Sequence, residues 1–561
     1  MALPRRRGWD AGSKRQRSED KFMSKRLRLR TILEPRIDAP FPLWMVFPVI
    51  FALLYVSHFS LLRLPYYWDE AGYYIPAAWD FLRTGSLIPS TTMSNAHPPL
   101  PSVYLALWWK LSGFYPEVTR EAVLMIASTG LLAVWRLAHR IAGSGQVALW
   151  TVVLTALYPI WFAQSTLAQA DIFAAAFSLW GLVYALPDGD RNPRVAALWF
   201  TAAVLSKETA IMIPMTLAVM ALVDGFRSAR PEKKRCWIDA AWFASCAAPL
   251  IAWYGWHFAK TGFVFGNPEF LKYNAQANLE PARFLAAFGH RLLHLTAHMN
   301  MFVPSLLTLA AMMLRPRLDR EGNERPRIST AVLWRIFFIL VANAAFFSIL
   351  GGALLTRYLL PMYPLVLLVA VSTFSRRVPF WQALALFSAS AFIAGLFVNP
   401  PYRFAPEDNL EYARVVRLHV AGITQLNKHY AGSTVLSAWP VTDELTKPEL
   451  GYVKTPYQVY RLEDFTSEEI DRAADDPGGY STALVFSTKY DPPSLLLSLG
   501  PKSEALDKKY FGLHHDLPPE AIALRLHGTL NWEREDHAQW IALIRFNRRF
   551  EAQVELPRPA P

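Results

Sequence analysis

The chain has 561 residues, of which 53% are hydrophobic and only 18% are charged, whereas a soluble protein of this length is about a quarter charged. Its hydrophobic residues form blocks too long for ordinary strands, which excludes a simple soluble enzyme and indicates a polytopic membrane protein. The net charge of +12 falls largely in short loops between apolar segments. That is the pattern of membrane topology, so we expect no nucleic-acid partner.

The first segment, residues 1–40, is rich in Lys and Arg and lacks the apolar stretch and cleavage site of a removable signal peptide. We expect a basic cytoplasmic tail that faces acidic headgroups. An uncharged apolar run from about Phe41 to Leu62 follows, and it is long enough to cross the hydrocarbon core. The sequence after this span is therefore expected outside, in a first outer loop of residues 63–117.

The apolar stretch "HPPLPSVYLALWWKLSGF" in this loop is interpreted as a helix lying on the membrane surface. If it crossed, basic loops such as "RSARPEKKRC" would face outward, against the preference of Lys and Arg for the cytoplasmic side. Ten further spans give about eleven in total, an odd number that places the C-terminus outside. They are predicted at residues 118–137, 146–163, 172–186, 195–205, 209–223, 237–258, 292–314, 331–350, 358–374 and 380–398.

The composition changes at about Asn399, where charges return. Short strand-like runs, "STVLSAW", "TALVFST", "AIALRL" and "WIALIRF", alternate with helical stretches such as "LEYARVVRLHVAGITQLNKHY". Residues 399–561 are therefore predicted to form a soluble, extracytoplasmic α/β domain with its own core. The predicted fold class is an α-helical membrane domain over residues 41–398, followed by this C-terminal domain.

Ionisable and aromatic side chains collect at the outer ends of the predicted spans. Taken singly, each has an ordinary explanation as a solvated loop residue, a turn residue or a headgroup anchor. Together they lie at one level of one membrane face, where ionisable groups are costly and tend to face a cavity. Carboxylates and cations in one cavity suit a substrate with a leaving phosphate and a hydroxyl nucleophile. The candidates are Asp69, Glu70, His97, Asp171, Lys207, Glu208, Lys272, Tyr273, Asn274, Arg283, Arg357 and Tyr358.

The chain resembles the GT-C class of integral-membrane glycosyltransferases, in particular bacterial members related to protein O-mannosyltransferases and lipid A aminoarabinose transferases. The resemblance rests on the Asp-Glu pair after span one, on "HPPL", on the Asp of "LAQADIF" and on "RYLLPMYP", and it covers roughly residues 40–400. It implies a GT-C-like fold and a polyprenyl-phosphate sugar as donor. It also implies a lipid, glycan or protein acceptor and a location in the plasma (inner) membrane.

The resemblance gives Asp69 the role of catalytic base, because an acceptor hydroxyl must lose its proton as it attacks the anomeric carbon. Asp171 is expected to orient the acceptor or the sugar, and Arg357 to bind the phosphate with two parallel donors. His97 stands where aminoarabinose transferases carry a lysine. Since a histidine side chain is mostly neutral near pH 7, Lys207 is the candidate for the missing charge. The remaining substrate-binding candidates are Glu70, Glu208, Tyr273 and Tyr358.

No cofactor is expected to be required, but binding of a divalent metal remains an alternative. Some members of the class bind a metal through an Asp-x-Asp motif, which the outer loops lack. Asp69, Glu70, His97 and Asp171 could still assemble a metal site in space.

Two other functions are compatible with a polytopic chain: a transporter or flippase of lipid-linked sugars, and a lipid-binding sensor. Transporters usually place charges near the bilayer midplane, on broken helices related by an internal repeat. Here the ionisable residues collect at one face and no repeat is seen in the sequence. Only the enzyme requires Asp69 specifically, so substitution of that residue separates the three.

Overall fold

The computed structural model describes residues 42–187, 191–264, 280–319, 322–350, 354–491 and 501–546. The expected cytoplasmic tail lies outside the described residues, as do Lys272, Tyr273 and Asn274.

The first part of the described chain is helical throughout. A short π-helical turn, Glu70–Tyr74, leads directly into the second helix. The helices are α1 (Leu43–His58), α2 (Ile75–Thr84), α3 (Leu100–Ser112), α4 (Pro116–Ala142), α5 (Gly145–Leu157), α6 (Pro159–Gln164), α7 (Ala170–Ala185), α8 (Pro193–Ser206), α9 (Met212–Arg227), α10 (Glu232–Ser245), α11 (Ala247–Thr261), α12 (Pro281–Thr296), α13 (Phe302–Met312), α14 (Thr330–Ile349), α15 (Tyr363–Arg377) and α16 (Gln382–Phe397).

Helix α4 lies at the centre of the bundle. Its first residue is Pro116, whose missing N–H is no loss at a helix start, and Gly143 ends it in the left-handed conformation at φ 62°. Small residues on α4 let its neighbours approach closely: a Cβ added at Gly130 would lie 3.1 Å from the ring of Trp161. The core of the bundle therefore forms around this helix.

The described residues contain five helices long and apolar enough to cross a membrane, or six if one bent pair counts as a single span. Shorter apolar helices, α5, α7, α8 and α16, lie among them. The chain is thus a multi-pass membrane protein, as the composition predicted, while the number of eleven spans stays a prediction. The five are Leu43–Leu61, Pro116–Ala142, Glu208–Arg227, Glu232–Thr261 and Thr330–Ile349.

The predicted span at residues 292–314 is not one continuous helix. The structure has two helical segments there, Pro281–Asn300 and Phe302–Met312, which meet at an angle of 99°. Met299 and Asn300 adopt left-handed φ angles of 47° and 65°, which the helical hydrogen-bond ladder cannot accommodate. The break is held from outside, since Asn300 Nδ2 donates to the carbonyl of Ala391 at 2.7 Å.

The last described part of the chain combines helices with one five-stranded sheet. Its strands are β1 (Thr434–Ala438), β2 (Gln458–Leu462), β3 (Thr482–Phe486), β4 (Thr529–Asp536) and β5 (Gln539–Arg545). Their order across the sheet is β2-β1-β3-β5-β4. Strand β1 is parallel to β2 and β3, whereas β5 is antiparallel to β3 and β4. The helices of this part are α17 (Glu411–His429), α18 (Val441–Thr446), α19 (Ser467–Asp475), α20 (Pro501–Phe511) and α21 (Pro519–Arg525).

We call the elements from α17 to β5 the sheet region. The sheet region has the α/β character that the sequence predicted. Three of the four strand-like runs form strands, but "AIALRL" is wrong, because it lies in α21 and at the turn after it. A run of six residues is too short for its periodicity to distinguish a helix from a strand. Pro519, at the first position of α21, favours the helix. That the region is a separate soluble domain stays a prediction.

Helix α17 joins the two parts of the molecule. Near its start, Tyr412 and Val416 pack with Leu61 and Tyr67 of the helical part. Further along, Leu418 and its neighbours pack in the core of the sheet region. The sheet region is therefore fixed against the helices, and the large cavity described next lies between them.

Candidate active site

A cavity of about 2410 Å³ lies between the helical part and the sheet region. Ligand sites for one small molecule usually measure about 300–1,000 Å³, so this cavity has room for two substrates. Six side chains that the sequence singled out separately line it: Asp69, His97, Lys207, Glu208, Arg357 and Tyr358.

Arg357 lies at the centre of the polar wall of this cavity. It belongs to the short turn that precedes α15 and is 5% exposed. One terminal nitrogen is paired with Asp69 and the other with Glu407. Its Nε lies 3.4 Å from Asp171 Oδ2. The guanidinium fork therefore faces three carboxylates, which hold its plane in one orientation.

Asp171 connects this cluster to a second cation. It lies in the first turn of α7, where the helix N-terminus favours a negative charge. Lys207, in extended backbone directly after α8, places Nζ 2.7 Å from Asp171 Oδ1. The same ammonium lies 4.3 Å from the ring centroid of Tyr358, within the range of a cation–π contact.

His97 and Glu208 form a separate pair on the cavity wall. His97 Nδ1 lies 2.8 Å from Glu208 Oε2. The imidazole is parallel to the ring of Tyr74, with an interplanar angle of 5° and centroids 6.0 Å apart. The segment before it is fixed by Trp253, which donates from Nε1 to the carbonyl of Ala96 at 3.0 Å. His97 therefore has one defined position at the cavity.

The carboxylates around Arg357 differ in their access to the cavity. The side chain of Asp69 is 32% exposed, whereas those of Asp171 and Glu407 are 3% and 5% exposed. Of the three, Asp69 is thus the most accessible to a substrate, although Glu407 also forms part of the cavity wall.

Glu70 does not line the cavity, and its role in substrate binding stays a prediction. Its side chain is fully buried and paired with Arg120, itself 1% exposed. The N–H groups of Tyr67 and Ala168 also donate to it, at 2.9 and 2.5 Å. Neighbouring residues on a helical turn point about 100° apart. Asp69 and Glu70 therefore face different surroundings, and Glu70 ties three segments of the chain together.

Arg283 is also absent from the cavity wall. It is buried on α12 and donates to the carbonyls of Ser348 and Leu350, each at 3.2 Å. It satisfies backbone acceptors at the end of α14.

Two carboxylates beyond the last predicted span belong to the site and were missed. Glu407 pairs with Arg357 and accepts a hydrogen bond from Gln169 Nε2 at 3.0 Å. Asp408 accepts one from Thr356 and lies 2.8 Å from His298 Nε2. The motif "FAPED" directly follows the last apolar run, as Asp69 and Glu70 follow the first, and this was the available signal.

Each cation expected to bind phosphate already has a carboxylate partner in this structure: Arg357, Lys207 and His97. An anionic substrate must therefore compete with these carboxylates. Burial, reinforced by the nearby charge of Asp69 and opposed by Arg357, raises the pKa of Glu407 to about 7.

A preformed metal site is not seen in the part of the chain that the structure describes, since no group of three or more His, Cys, Asp and Glu is arranged to hold an ion. The four side chains considered for such a site do not meet. Asp69 and Asp171 pair with cations, His97 pairs with Glu208, and Glu70 is buried elsewhere.

Comparison with known proteins gives a match to the family described as dolichyl-phosphate-mannose-protein mannosyltransferase, over residues 96–253, less than half of the chain. The comparison with curated proteins gave no match. Among solved structures, the chain is similar to ArnT from Cupriavidus metallidurans in the apo state, with 15% identity and a TM-score of 0.51, covering 89% of this chain and 97% of that one. ArnT bound to undecaprenyl phosphate gives 14% identity and a TM-score of 0.50, covering 89% and 98%.

At this level of identity the likeness to ArnT establishes the fold. The chain is a multi-pass membrane protein with the fold of the GT-C glycosyltransferases, as the sequence resemblance implied. Within that class, the family match is to the mannosyltransferase family named above.

Proposed function

We propose that this protein transfers a sugar from a polyprenyl-phosphate donor to a hydroxyl acceptor, with Asp69 as the general base. The observation that carries the proposal is the exposure of Asp69 to a large cavity, next to an arginine able to hold a phosphate. The GT-C fold and the mannosyltransferase family match support the class of reaction. Replacement of Asp69 by asparagine tests the proposal, because loss of the base should lower the rate of sugar transfer by about two to four orders of magnitude.

In the proposed reaction the acceptor oxygen attacks the anomeric carbon while Asp69 takes the hydroxyl proton. The bond between that carbon and the phosphate oxygen breaks, and the lipid phosphate leaves with the electron pair. A phosphate is already a good leaving group, so no strong acid is needed at this position. Arg357 stabilises the negative charge of the departing phosphate, as cations do in other phosphate-releasing sites.

Donor binding also prepares the base in this scheme. At rest the carboxylate of Asp69 is paired with Arg357, and this pairing competes with a hydrogen bond from the acceptor hydroxyl. A phosphate that binds Arg357 replaces Asp69 and frees it for the acceptor. Asp171 and Lys207 keep the guanidinium in place from its other side.

The donor is a lipid-linked sugar that reaches the cavity from the bilayer. This part of the proposal is supported by the second ArnT structure, in which that protein is bound to undecaprenyl phosphate. Lipid, glycan and protein acceptors remain candidates, and the sugar is not identified. The location proposed is the plasma (inner) membrane.

The basic loops favour a cytoplasmic N-terminus, an outward-facing site and an extracytoplasmic C-terminal domain at residues 399–561. Protease added to sealed right-side-out vesicles should then digest this domain and spare the tail at residues 1–40. Protection of the C-terminal domain would reverse the proposed orientation.

Replacing Arg357 by lysine is expected to weaken binding of undecaprenyl phosphate about ten- to a hundredfold, because loss of one charge-assisted hydrogen bond removes about 1.5–3 kcal/mol. A lysine keeps the charge but lacks the planar fork that faces the carboxylates. Binding should be measured for wild type, Arg357→Lys and Arg357→Ala in one detergent, after thermal unfolding shows that each is folded.

Arg63→Lys is the matched control, since Arg63 is 84% exposed and pairs with Glu117 at 3.5 Å. It should bind as the wild type does. If Arg357→Lys also matches the wild type, the fork is not needed, and Arg357 acts only as a charge.

Donor binding is expected to depend on pH through Glu407. Below its pKa of about 7 Glu407 is mostly protonated and leaves Arg357 available, whereas above it the carboxylate competes with the phosphate. The ratio of the wild-type affinity for undecaprenyl phosphate to that of Glu407→Gln should therefore fall as the pH rises through 7. One pH unit above the pKa, the variant should bind about tenfold more tightly than the wild type, and one unit below it the two should agree.

Taking this ratio cancels the titration of the ligand's own phosphate, whose second pKa is about 6. A ratio that stays the same from pH 6 to pH 8 would show that Glu407 does not compete for Arg357.

One observation favours the transporter alternative, namely the helix break at 99°, because broken helices are common in transporters. The two functions differ in what happens to the lipid. A flippase returns the donor intact, whereas the proposed enzyme releases polyprenyl phosphate. Chromatography of the lipid after incubation distinguishes them.

A further inference from the structure

The segment "SAWPVTDELTKPELGYV", which joins β1 to β2, docks against the loop that carries Asp69. Tyr452 donates from its hydroxyl to the carbonyl of Tyr66 at 2.9 Å. Leu450 is fully buried within the core of the helical part. The sheet region therefore holds the start of this loop by both a hydrogen bond and apolar packing.

Trp439 of this segment contacts Trp68, the residue directly before Asp69. Its ring meets that of Trp68 edge to face, with centroids 4.9 Å apart and an interplanar angle of 76°. Trp68 immediately precedes Asp69 and has a left-handed φ of 47°. A bulky residue in that conformation is unfavourable and persists only where its surroundings enforce it. Trp439 is part of those surroundings.

Gly72 lies on the other side of the same indole. A Cβ added there would be 2.8 Å from Cζ2 of Trp439, closer than two carbon atoms can pack. The φ angle of Gly72 is not in the left-handed region. Space for the indole, rather than backbone freedom, is therefore what requires glycine here.

We propose that Trp439 is a positioning residue for Asp69: the indole, held by the sheet region between Trp68 and Gly72, keeps the loop in the conformation that points Asp69 at the cavity. This inference rests on the proposed function, because it assigns Trp439 a part in the transfer reaction. Trp439 also lines the cavity, so the sheet region contributes to the site and does more than cover it.

The test uses the full-length protein and three variants: Trp439→Ala, Gly72→Ala and Gly72→Ala/Trp439→Phe. The substrates are polyprenyl-phosphate sugars extracted from the host's membranes, with the membrane extract as the source of acceptor. Trp439→Ala and Gly72→Ala should each lower kcat about ten- to a hundredfold, because a displacement of the base by about 1 Å is enough for such a loss. Affinity for undecaprenyl phosphate should stay at the wild-type value, since Arg357 is not moved.

The double variant provides the decisive comparison. Phenylalanine lacks the second ring that carries Cζ2, so it leaves room for a Cβ at position 72. Gly72→Ala/Trp439→Phe should therefore recover most of the kcat lost in Gly72→Ala. Trp532→Ala is the control for general damage to the sheet region. Trp532 packs against the core of the sheet region but is distant in the chain from Trp439, so this variant should have the wild-type kcat.

The inference is overturned if Trp439→Ala keeps wild-type kcat, or if the double variant is as slow as Gly72→Ala alone. Its failure is distinguishable from failure of the proposed function. If the wild type releases no polyprenyl phosphate from any extracted donor, the enzyme proposal fails. If the wild type is active, Asp69→Asn is not, and the Trp439 variants are normal, only the positioning role fails.

Discussion

Replacement of Asp69 by asparagine is expected to lower the rate of sugar transfer by about two to four orders of magnitude, the range lost when a general base is removed. Asparagine has the same size, and its carbonyl oxygen can still accept a hydrogen bond from Arg357. It cannot accept the proton of the acceptor hydroxyl. Protein level should change little, and donor affinity should not fall, because the neutral amide competes less than the Asp69 carboxylate with the phosphate for Arg357. The loss should therefore be in kcat.

Glu117→Gln is the matched control, since Glu117 is a half-exposed carboxylate in the first turn of α4 and lies outside the cavity lining. It should transfer sugar at the wild-type rate. If Asp69→Asn turned over near normally in the same assay, another group would have to be the base.

Replacement of Arg120 by methionine is expected to have the largest effect on folding, a loss of about 3–5 kcal/mol of unfolding free energy, because it leaves the buried charge of Glu70 without its partner. Both side chains are at most 1% exposed. The double variant Glu70→Gln/Arg120→Met should be less destabilised, since the amide removes the buried charge and keeps one oxygen that can accept from the N–H of either Tyr67 or Ala168.

The stability of both variants should be measured in detergent by denaturant titration or thermal melting. Arg63→Met is the control, because it alters an exposed ion pair and should be as stable as the wild type. If Arg120→Met melted with the wild type but lost transfer, the Glu70–Arg120 pair would belong to the reaction and not to the scaffold.

Much of the site could be predicted because the apolar spans place their ends at a shared level. Asp69, Asp171, Lys207 and Arg357 all flank such spans, and their side chains converge although up to 288 residues separate them in the chain. The sequence could not specify which partner each would choose. The pairing of Arg357 with Glu407, for example, depends on how the segment after the last span returns to the cavity.

Two features of the structure could not be predicted because they depend on information outside the local sequence: which of Asp69 and Glu70 faces the cavity, and the helix break at residues 299–300. Asp69 and Glu70 are equivalent in the sequence, and only the phase of the turn decides which carboxylate faces the cavity. The break at Met299 and Asn300 carries no proline or glycine, so hydropathy predicted a span over residues 292–314 without showing the break. Tertiary hydrogen bonds donated by the Met299 N–H to the Tyr402 hydroxyl and by Asn300 to the carbonyl of Ala391 hold the break.

The most direct test of the account follows the lipid donor. Purified protein in detergent, mixed with polyprenyl-phosphate sugars and acceptors extracted from the host's membranes, should consume one donor and release an equal amount of polyprenyl phosphate, with the sugar recovered on a new acceptor by mass spectrometry. Asp69→Asn should bind the donor and release almost none. Donors that all remain intact with wild-type protein, or that are consumed equally by Asp69→Asn, would contradict the account.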